Sequence, residues 1–253
     1  MTSTPGPVRA GECRVWWAEE AAAAAHHDAL LSPVERHRRD RYRQPVDRRR
    51  FTVGVALSRL LLAAATGTSP DRLAIDRHCA GCGEPHGRPR LADGGGGLDF
   101  NVSHSGGRVV VAITTGVRVG VDVEHAGPRS AVTGVERLVL SAEERRHLDR
   151  RVDLDRSRAV LRYWTRKEAV VKATGDGLGA GMDRLTMSAP DEAPRLLSWR
   201  DREEICARIA VWDLHGPADH PAALAVLRPD GSPPAVPVTV SEHDATVLLA
   251  ANG

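Results

Sequence analysis

Three short runs of apolar and β-branched residues follow one another closely in the middle of the chain, and this feature constrains the fold most. They are Leu98–Val102, Arg108–Thr114 and Val117–Glu124. The dipeptide Thr115-Gly116 suits a hairpin turn between the second and the third run. Strands joined by such short connections pair antiparallel, so the sequence predicts a small antiparallel sheet.

Helix-like segments lie on both sides of these runs. Helices are predicted at 19–31, 47–67 and 157–174, and two shorter ones are predicted to begin at the capping boxes Ser32-Pro33-Val34-Glu35 and Ser141-Ala142-Glu143-Glu144. The helix at 47–67, with Asp47 as its cap, ends at a glycine, and a glycine also follows the helix at 157–174.

The second half of the chain adds three strand-like runs, at 207–214, 222–227 and 236–240. Each half therefore holds helices and a few antiparallel-looking strands, although no sequence repeat is visible. We predict an α+β fold with two lobes of similar size, residues 1–117 and 118–253.

Composition excludes several classes of protein. The chain has 253 residues, a formal net charge of +2 and only 4% aromatic residues, which weighs against a nucleic-acid-binding regulator. No apolar run approaches the roughly 20 residues of a membrane span, and the N-terminus has no hydrophobic stretch typical of a signal peptide. Four cysteines in a chain of this length do not form a disulfide framework. We expect a cytoplasmic protein.

Carboxylates converge on two predicted elements. Asp122 and Glu124 lie two residues apart on a strand, so they share one face while the intervening valines face the core. Trp164, Glu168 and Lys172 are spaced by four residues and form one stripe on a helix. A pair such as Asp122 and Glu124 is by itself typical of a half-exposed strand. A Glu–Lys pair beside a tryptophan, however, indicates partial burial and a candidate functional site.

The basic residues are almost all arginine. Only Lys167 and Lys172 are lysines, and the other 33 of 35 are arginines. A compact ammonium differs from a rigid guanidinium, so we expect at least one of these lysines to have a role that arginine cannot fill. Eight arginines lie between Arg36 and Arg50, and most of them should be solvated.

A polar loop follows the first strand-like run, in Phe100-Asn101-Val102-Ser103-His104-Ser105-Gly106. The absence of a G-x-S-x-G elbow disfavours a hydrolase, and hydroxyl, imidazole and backbone amide groups suit a phosphate. Clustered carboxylates suit Mg²⁺, and lysine and arginine suit a polyphosphate. Phosphoryl transfer needs this combination.

These residues carry a family resemblance. Gly-Val-Asp-Val-Glu at 120–124, followed by Trp-Thr-Arg-Lys-Glu-Ala-Val-Val-Lys-Ala-Thr-Gly-Asp-Gly-Leu at 164–178, resembles the paired signature of the 4′-phosphopantetheinyl transferases. Phe-Asn-Val-Ser-His-Ser at 100–105, Gly-Arg-Pro at 87–89 and the segment 47–59 resemble the larger, monomeric type, which activates surfactin synthetase and similar peptide and polyketide synthases.

The resemblance implies a fold and a reaction. The fold has two lobes related by a pseudo-two-fold axis, each with a small, mostly antiparallel sheet packed on helices, and coenzyme A binds between them. The reaction is the Mg²⁺-dependent transfer of phosphopantetheine from coenzyme A to a serine of an acyl or peptidyl carrier protein, with release of adenosine 3′,5′-bisphosphate. Mn²⁺ is expected to substitute for Mg²⁺. The expected partners are these carrier proteins and coenzyme A, not nucleic acid or membrane.

The resemblance also assigns roles to residues. It implies that Asp122, Glu124 and Glu168 bind Mg²⁺. It further implies that Glu168, Lys172 and Asp122 form the catalytic set. The expected contacts to coenzyme A come from Asp122, Lys172 and five residues nearer the N-terminus, namely Arg38, Arg50, Arg88, Ser103 and His104. Arg88 stands where the family often has lysine, and Glu35 stands at another position where a basic residue is common.

Two alternatives remain at this point. The chain resembles an active enzyme, but an inactive relative that binds coenzyme A or a nucleotide as a regulator would share much of the pattern. Cys79-x-x-Cys82, flanked by His78 and His86, has some features of a zinc site. Its tight spacing and the absence of a second such pair favour a reduced pair of loop thiols.

Overall fold

The computed structural model describes residues 5–78, 83–84, 87–127, 136–151, 155–231 and 238–251. Cys79, Cys82 and His86, considered above for zinc, lie outside these ranges. In the described ranges no helix combines the length and the apolar character needed to cross a membrane.

The chain forms a mixed α+β structure with small sheets. The strands, numbered in chain order, are β1 (Glu12–Glu19), β2 (Ile75–Asp76), β3 (Arg90–Leu91), β4 (Leu98–Ser105), β5 (Arg108–Thr115), β6 (Arg118–Val123), β7 (Leu185–Met187), β8 (Leu196–Trp199), β9 (Ile209–Asp213), β10 (Ala222–Leu227) and β11 (Thr239–Asp244). The helices are α1 (Pro33–Asp40), α2 (Pro45–Thr66), α3 (Glu136–Val139), α4 (Ala142–Arg150), α5 (Arg156–Thr174) and α6 (Thr246–Ala250).

The chain divides into two compact units. The first comprises residues 1–116 and 235–253, and the second comprises residues 117–234. The first division lies next to the expected one at residue 117, but the C-terminus differs from the expectation. Residues 235–253 belong with the first unit because β11 pairs in parallel with β1, from Glu12 opposite Thr239 to Trp17 opposite Asp244.

The first unit is built on a four-stranded sheet in the order β11-β1-β5-β4. The β1–β5 and β4–β5 pairs are antiparallel, and the long helix α2 packs on β4 and β5. The core between helix and sheet includes Val53, Leu57 and Leu61 from the helix with Val111 and Ile113 from β5. The long helix agrees with the sequence-based prediction. The hairpin predicted at Thr115-Gly116 is wrong, because β5 pairs with β1 and β4 while β6 pairs with β10 in the sheet of the second unit.

The second unit is built on a three-stranded antiparallel sheet in the order β6-β10-β9. Helix α5 packs on β6 and β10, and its N-terminus is capped by Asp155, whose side chain accepts from the Arg158 amide. Gly175 follows the helix in the left-handed conformation, as the sequence predicts. This packing carries the acidic end of β6 and the stripe of α5 toward each other.

Two of the predicted features near the N-terminus are wrong. The stretch 19–31 is not an α-helix, because β1 runs to Glu19 and two short 3₁₀ turns follow. In the second turn His27 accepts from the Ala24 amide through its ring, which caps a tight turn instead of continuing a helix. Asp47 is not the cap of α2, since the helix begins at Pro45, and Asp47 instead accepts from Arg50.

Both predicted capping boxes form, and each one has the same further partner. Glu35 accepts from the Ser32 amide and is buried against Arg59 of α2, with 2.9 Å between Oε2 and Nε. Glu144 accepts from the Ser141 amide and is buried against Lys167 of α5. The cation follows its glutamate by 24 residues in the first unit and by 23 in the second. The two units therefore share a structural device that their sequences do not display as a repeat.

Candidate active site in the second unit

Asp122 is a buried carboxylate on β6. Every residue from Val119 to Val123 is buried, so the strand does not alternate between core and solvent as the sequence suggested. The Asp122 side chain is only 4% exposed, and its Oδ1 accepts from Lys172 Nζ at 2.6 Å. The same ammonium donates to the Val121 carbonyl at 3.1 Å. Helix α5 thus places Lys172 directly on the acidic end of the strand.

Glu168 lies one helical turn before Lys172 and is also buried, with 8% exposure. Burial raises the pKa of Glu168 to about 7, and the negative charges of Asp122 and Glu124 act in the same direction against the opposing effect of Lys172. Its Oε1 atom is buried and has no hydrogen-bond partner among the described residues. Glu168 is therefore a carboxylate held in unfavourable surroundings, which is typical of a functional site.

Glu124 completes the group from the residue after β6. Its side chain is partly exposed, and its charge contributes to the raised pKa of Glu168. The structure thus brings together four of the residues singled out in the sequence: Asp122, Glu124, Glu168 and Lys172. Trp164, the remaining member of the stripe, is partly buried against the core of the unit.

Gly120 sets the distance between the strand and the helix, and the sequence analysis did not recognise this role. A Cβ atom at Gly120 would lie 2.0 Å from the Ala169 carbonyl oxygen and 2.4 Å from the Ala173 amide nitrogen. These are backbone atoms of α5, so they have no side-chain freedom with which to move away. The absent side chain therefore permits α5 to lie close enough for Lys172 to bond Asp122 and Val121.

Gly120→Ala is expected to destabilise the second unit by about 3 kcal/mol or more, because the helix must move off the sheet. Urea unfolding measures the loss. Gly179→Ala is the matched control, since a Cβ there meets nothing within 4 Å. Equal stability of the two variants would show that the close approach is not needed.

The donor set fits a hard divalent cation. Asp122, Glu124 and Glu168 offer only carboxylate oxygens, which are the ligands that Mg²⁺ prefers. The orphaned Oε1 of Glu168 and the mutual repulsion of the three carboxylates are both relieved by a cation placed among them. Soft metals would instead require sulfur or imidazole, which this set lacks.

The raised pKa of Glu168 predicts a pH dependence of stability in the absence of divalent cations. Between its ordinary pKa of 4.5 and the folded value of about 7, the folded chain binds more protons than the unfolded chain. The contribution of Glu168 to the free energy of unfolding therefore falls as pH rises through this window. At pH 8 in EDTA, Glu168→Gln should be more stable than the native protein by up to about 3 kcal/mol.

At pH 5 this advantage should largely vanish, because native Glu168 is then mostly protonated. Urea unfolding at both pH values measures it, with the exposed Glu143→Gln as control. If the two proteins differed in free energy of unfolding by the same amount at both pH values, the claim that burial of ionised Glu168 destabilises the folded state would be contradicted.

The predicted coenzyme residues of the first unit come from α1, α2, β4 and the segment before β3. Ser103 is buried and His104 is exposed near the end of β4. Arg50 reaches the turn that follows, where its Nε donates to the Gly106 carbonyl at 2.6 Å. Arg88 pairs with Asp99 at the other end of β4, about 17 Å along the strand from His104. The structure therefore groups Arg50 with the Ser103–His104 segment and places Arg88 apart from it.

The structure also gives the surroundings of Arg38 and Glu35, the two other positions at which the family resemblance concerned phosphate contacts. Arg38 packs over the Phe51 ring, with its guanidinium carbon 5.9 Å from the ring centroid. Glu35, at a position expected to be basic, is committed to its buried pair with Arg59. Glu35 therefore contributes to the folding of the first unit instead of contacting a phosphate.

The two lysines have different surroundings. Lys172 is 26% exposed and contacts the acidic site, whereas Lys167 is fully buried. The Lys167 ammonium donates to Glu144 at 2.5 Å, to the Val139 carbonyl at 2.7 Å and to the Met182 carbonyl at 3.0 Å. All three of its protons are thus used in the core, which identifies Lys167 as a structural residue.

Comparison with known proteins gives a consistent result. The family model of the 4′-phosphopantetheinyl transferase superfamily matches residues 118–225, which include the whole acidic site. The chain is 34% identical over 152 residues to the 4′-phosphopantetheinyl transferase HetI of Nostoc sp., a match covering 59% of this chain and 62% of HetI.

Two further relatives give similar matches. The chain is 32% identical over 168 residues to the putative 4′-phosphopantetheinyl transferase slr0495 of Synechocystis sp., covering 66% of this chain and 64% of that protein. It is 26% identical over 177 residues to 4′-phosphopantetheinyl transferase psf-1 of Bacillus pumilus, covering 70% of this chain and 72% of psf-1. The matches to HetI and slr0495 thus span less than two thirds of those relatives.

Proposed function

We propose that this chain, which is similar to the 4′-phosphopantetheinyl transferase superfamily, transfers 4′-phosphopantetheine from coenzyme A to a serine hydroxyl of an acyl or peptidyl carrier protein, releasing adenosine 3′,5′-bisphosphate. One observation carries the proposal. Lys172 donates a hydrogen bond to the buried Asp122, and the charges of both residues act on Glu168, whose Oε1 atom has no hydrogen-bond partner among the described residues. This grouping falls within the segment matched by the family.

Asp122, Glu124 and Glu168 are proposed to hold Mg²⁺. Bound there, the ion would supply positive charge that offsets the negative charge of the phosphates, which is the main requirement of phosphoryl transfer. Asp122 is a fixed ligand because β6 and the Lys172 bond hold its carboxylate. Glu124, with its more exposed side chain, forms the outer part of the same donor set.

Glu168 is proposed to accept the proton of the attacking serine, directly or through a water that it orients. Without a bound cation, burial raises the pKa of Glu168 to about 7, so both the protonated and the ionised carboxyl group are present at neutral pH. A cation beside it would favour the ionised form, which is the form that accepts a proton.

Lys172 is proposed to stabilise the negative charge that develops on the leaving phosphate. The tetrahedral ammonium has three donors on a flexible stem, so it can follow an oxygen whose position changes during the reaction. Because the Lys172 side chain is partly exposed, its ammonium is accessible to a ligand, whereas the ammonium of the buried Lys167 is inaccessible.

Arg50 is proposed to contact a phosphate of coenzyme A together with Ser103 and His104. Arg50→Ala is expected to raise the KM for coenzyme A at least about tenfold, which is the scale of losing a charge-assisted hydrogen bond. The exposed Arg43→Ala should change the KM little. Steady-state kinetics with thermal unfolding as a folding check would measure both. Equal effects of the two variants would indicate diffuse electrostatics instead of a specific contact.

The proposed reaction is tested by its small-molecule product. Purified protein is incubated with coenzyme A, Mg²⁺ and an apo carrier protein, and adenosine 3′,5′-bisphosphate is quantified by chromatography. Its release should require the carrier. An inactive coenzyme-binding relative would bind coenzyme A and release no product.

A further inference from the structure

A second cluster of possible ligands lies just beyond the end of β6. The antiparallel ladder with β10 continues past the last strand residue, because the Glu124 amide donates to the Pro221 carbonyl at 3.0 Å and the Ala126 amide donates to the Asp219 carbonyl at 2.8 Å. This extension sets the side chain of His125 against the turn that carries Asp219 and His220.

The three side chains converge. One ligand atom from each of His125, Asp219 and His220 lies within 4.8 Å of the other two. His220 Nδ1 lies 2.8 Å from Asp219 Oδ1, and His125 Nε2 lies 3.8 Å from Asp219 Oδ2. The imidazole rings of the two histidines are 4.9 Å apart between centroids.

His220 is the anchor of this cluster. It is 95% buried, being 5% exposed, and its Nε2 atom has no hydrogen-bond partner within the described ranges. A buried imidazole normally satisfies both of its nitrogens, since an unpartnered polar atom costs free energy. Nδ1 of the same ring lies 2.8 Å from Asp219 Oδ1, so an ion that replaces the proton between these two atoms can bind both of them.

Gly127 holds the ring of His125 near the cluster. A Cβ atom at Gly127 would lie 2.7 Å from Cε1 and 2.8 Å from Nδ1 of His125. The Gly127 amide also donates to the His125 carbonyl at 2.9 Å, which closes a tight turn under the ring. The bare glycine therefore leaves the space that the imidazole occupies.

We propose that His125, Asp219 and His220 form a binding site for a transition-metal ion of the Zn²⁺ class, separate from the carboxylate site of Asp122, Glu124 and Glu168. Zn²⁺, Co²⁺ and Ni²⁺ bind a set of two imidazoles and one carboxylate more tightly than Mg²⁺ does, because Mg²⁺ prefers oxygen ligands. Through these ligands the ion links the segment after β6 to the turn before β10, which restricts the motion of the backbone next to Glu124.

The required adjustment is small. Zinc bonds of about 2.0–2.1 Å place tetrahedral ligand atoms about 3.3 Å apart, so the observed spread must contract by about 1.5 Å. His125 and Asp219 can make this movement because their side chains are 44% and 60% exposed. His220 stays fixed by its burial.

Co²⁺ is the spectroscopic probe. The 253-residue protein is titrated with Co²⁺ in the presence of excess Mg²⁺. The Mg²⁺ competes for the carboxylate site, so the Co²⁺ signal reports on the histidine cluster. Visible d–d absorption is expected to saturate at one Co²⁺ per chain, and Zn²⁺ should bleach it. His125→Gln and Asp219→Asn should each weaken Co²⁺ binding at least about tenfold. His215→Gln, a nearby exposed histidine outside the cluster, should not.

Thermal unfolding with Zn²⁺ gives a second readout, since a ligand bound only to the folded state raises the Tm. The native protein and His215→Gln should gain stability, and His125→Gln should not. Absence of saturable Co²⁺ absorption, or equal binding by His125→Gln and His215→Gln, would overturn the site. None of these measurements uses coenzyme A or a carrier protein, so the outcome is independent of the proposed transfer reaction.

Discussion

Glu168→Gln is expected to lower kcat at least about a hundredfold, the usual scale for losing a general base, while coenzyme A affinity stays within about tenfold. Glutamine keeps the size and one oxygen ligand but cannot accept the serine proton. The phosphate contacts assigned to Arg50, Ser103 and His104 do not involve this position, so binding should largely survive. Calorimetry measures coenzyme binding, and the mass of the carrier protein over time measures turnover.

Two other variants make this result interpretable. Glu143→Gln changes an exposed glutamate of α4 and should leave kcat unchanged. Asp122→Asn should weaken Mg²⁺ dependence as well as turnover, since Asp122 is assigned as a ligand and not as a base. Near-normal turnover by Glu168→Gln would remove Glu168 as the base and leave it at most a replaceable ligand.

Lys167→Met is expected to cost about 3–5 kcal/mol of stability, because it leaves the buried carboxylate of Glu144 without its cation. Glu144 keeps the amide hydrogens of Ser141 and Met187, but no other cation is bonded to it within the described parts of the chain. Lys167→Arg should not restore stability, because a planar guanidinium cannot direct its hydrogens at three acceptors arranged around a tetrahedral ammonium. Urea unfolding measures both variants.

Arg158→Met is the matched control on the same helix. The Arg158 side chain is 59% exposed, and its Nε lies 4.0 Å from Asp155 Oδ2. Loss of this exposed ion pair should lower the free energy of unfolding by no more than about 1 kcal/mol. If Lys167→Met and Arg158→Met were equally stable, the buried pair would contribute nothing beyond a surface pair. A Lys167→Met protein that fails to fold at all would agree with the account if Arg158→Met folds.

The sequence predicted the elements whose local signals agree with their tertiary surroundings. Both capping boxes and the glycine stop of α5 follow from residues close together in the chain. Residue spacing also placed Asp122 on a strand and Glu168 and Lys172 on a helix, and the structure confirms both elements. That these residues meet depends on the packing of α5 on β6, which local patterns do not specify. The hairpin predicted at Thr115-Gly116 failed because β6 pairs with β10, about 100 residues further along the chain.

The missed features are those that depend on contacts distant in sequence. β1 lies beside an alanine-rich stretch that favoured a helix prediction, and it forms by pairing with β5 and β11, which are both distant from it in the chain. The parallel pairing of β11 with β1 joins residues more than 200 positions apart, from Glu12 to Thr239. The unusual lysines offered a usable signal, since each ammonium donates hydrogen bonds to a buried carboxylate and to at least one backbone carbonyl.

Gly120 and the cluster of His125, Asp219 and His220 illustrate a second limit on what the sequence alone can predict. The Gly-Val-Asp-Val-Glu motif drew attention to its carboxylates, and only the helix packed above the strand reveals why the first residue has no side chain. His125 and His220 are 95 residues apart and carry no metal-ligand spacing. They meet because the ladder between β6 and β10 continues for a few residues beyond the strands.

The central claim is that this chain modifies a carrier serine through its acidic site. The most direct measurement is the intact mass of several apo carrier proteins after incubation with the protein, coenzyme A and Mg²⁺. The account predicts that at least one carrier gains the mass of one phosphopantetheine, on serine, and that EDTA or Glu168→Gln suppresses the gain. An unchanged mass for every carrier, or an equal gain in EDTA, would contradict it.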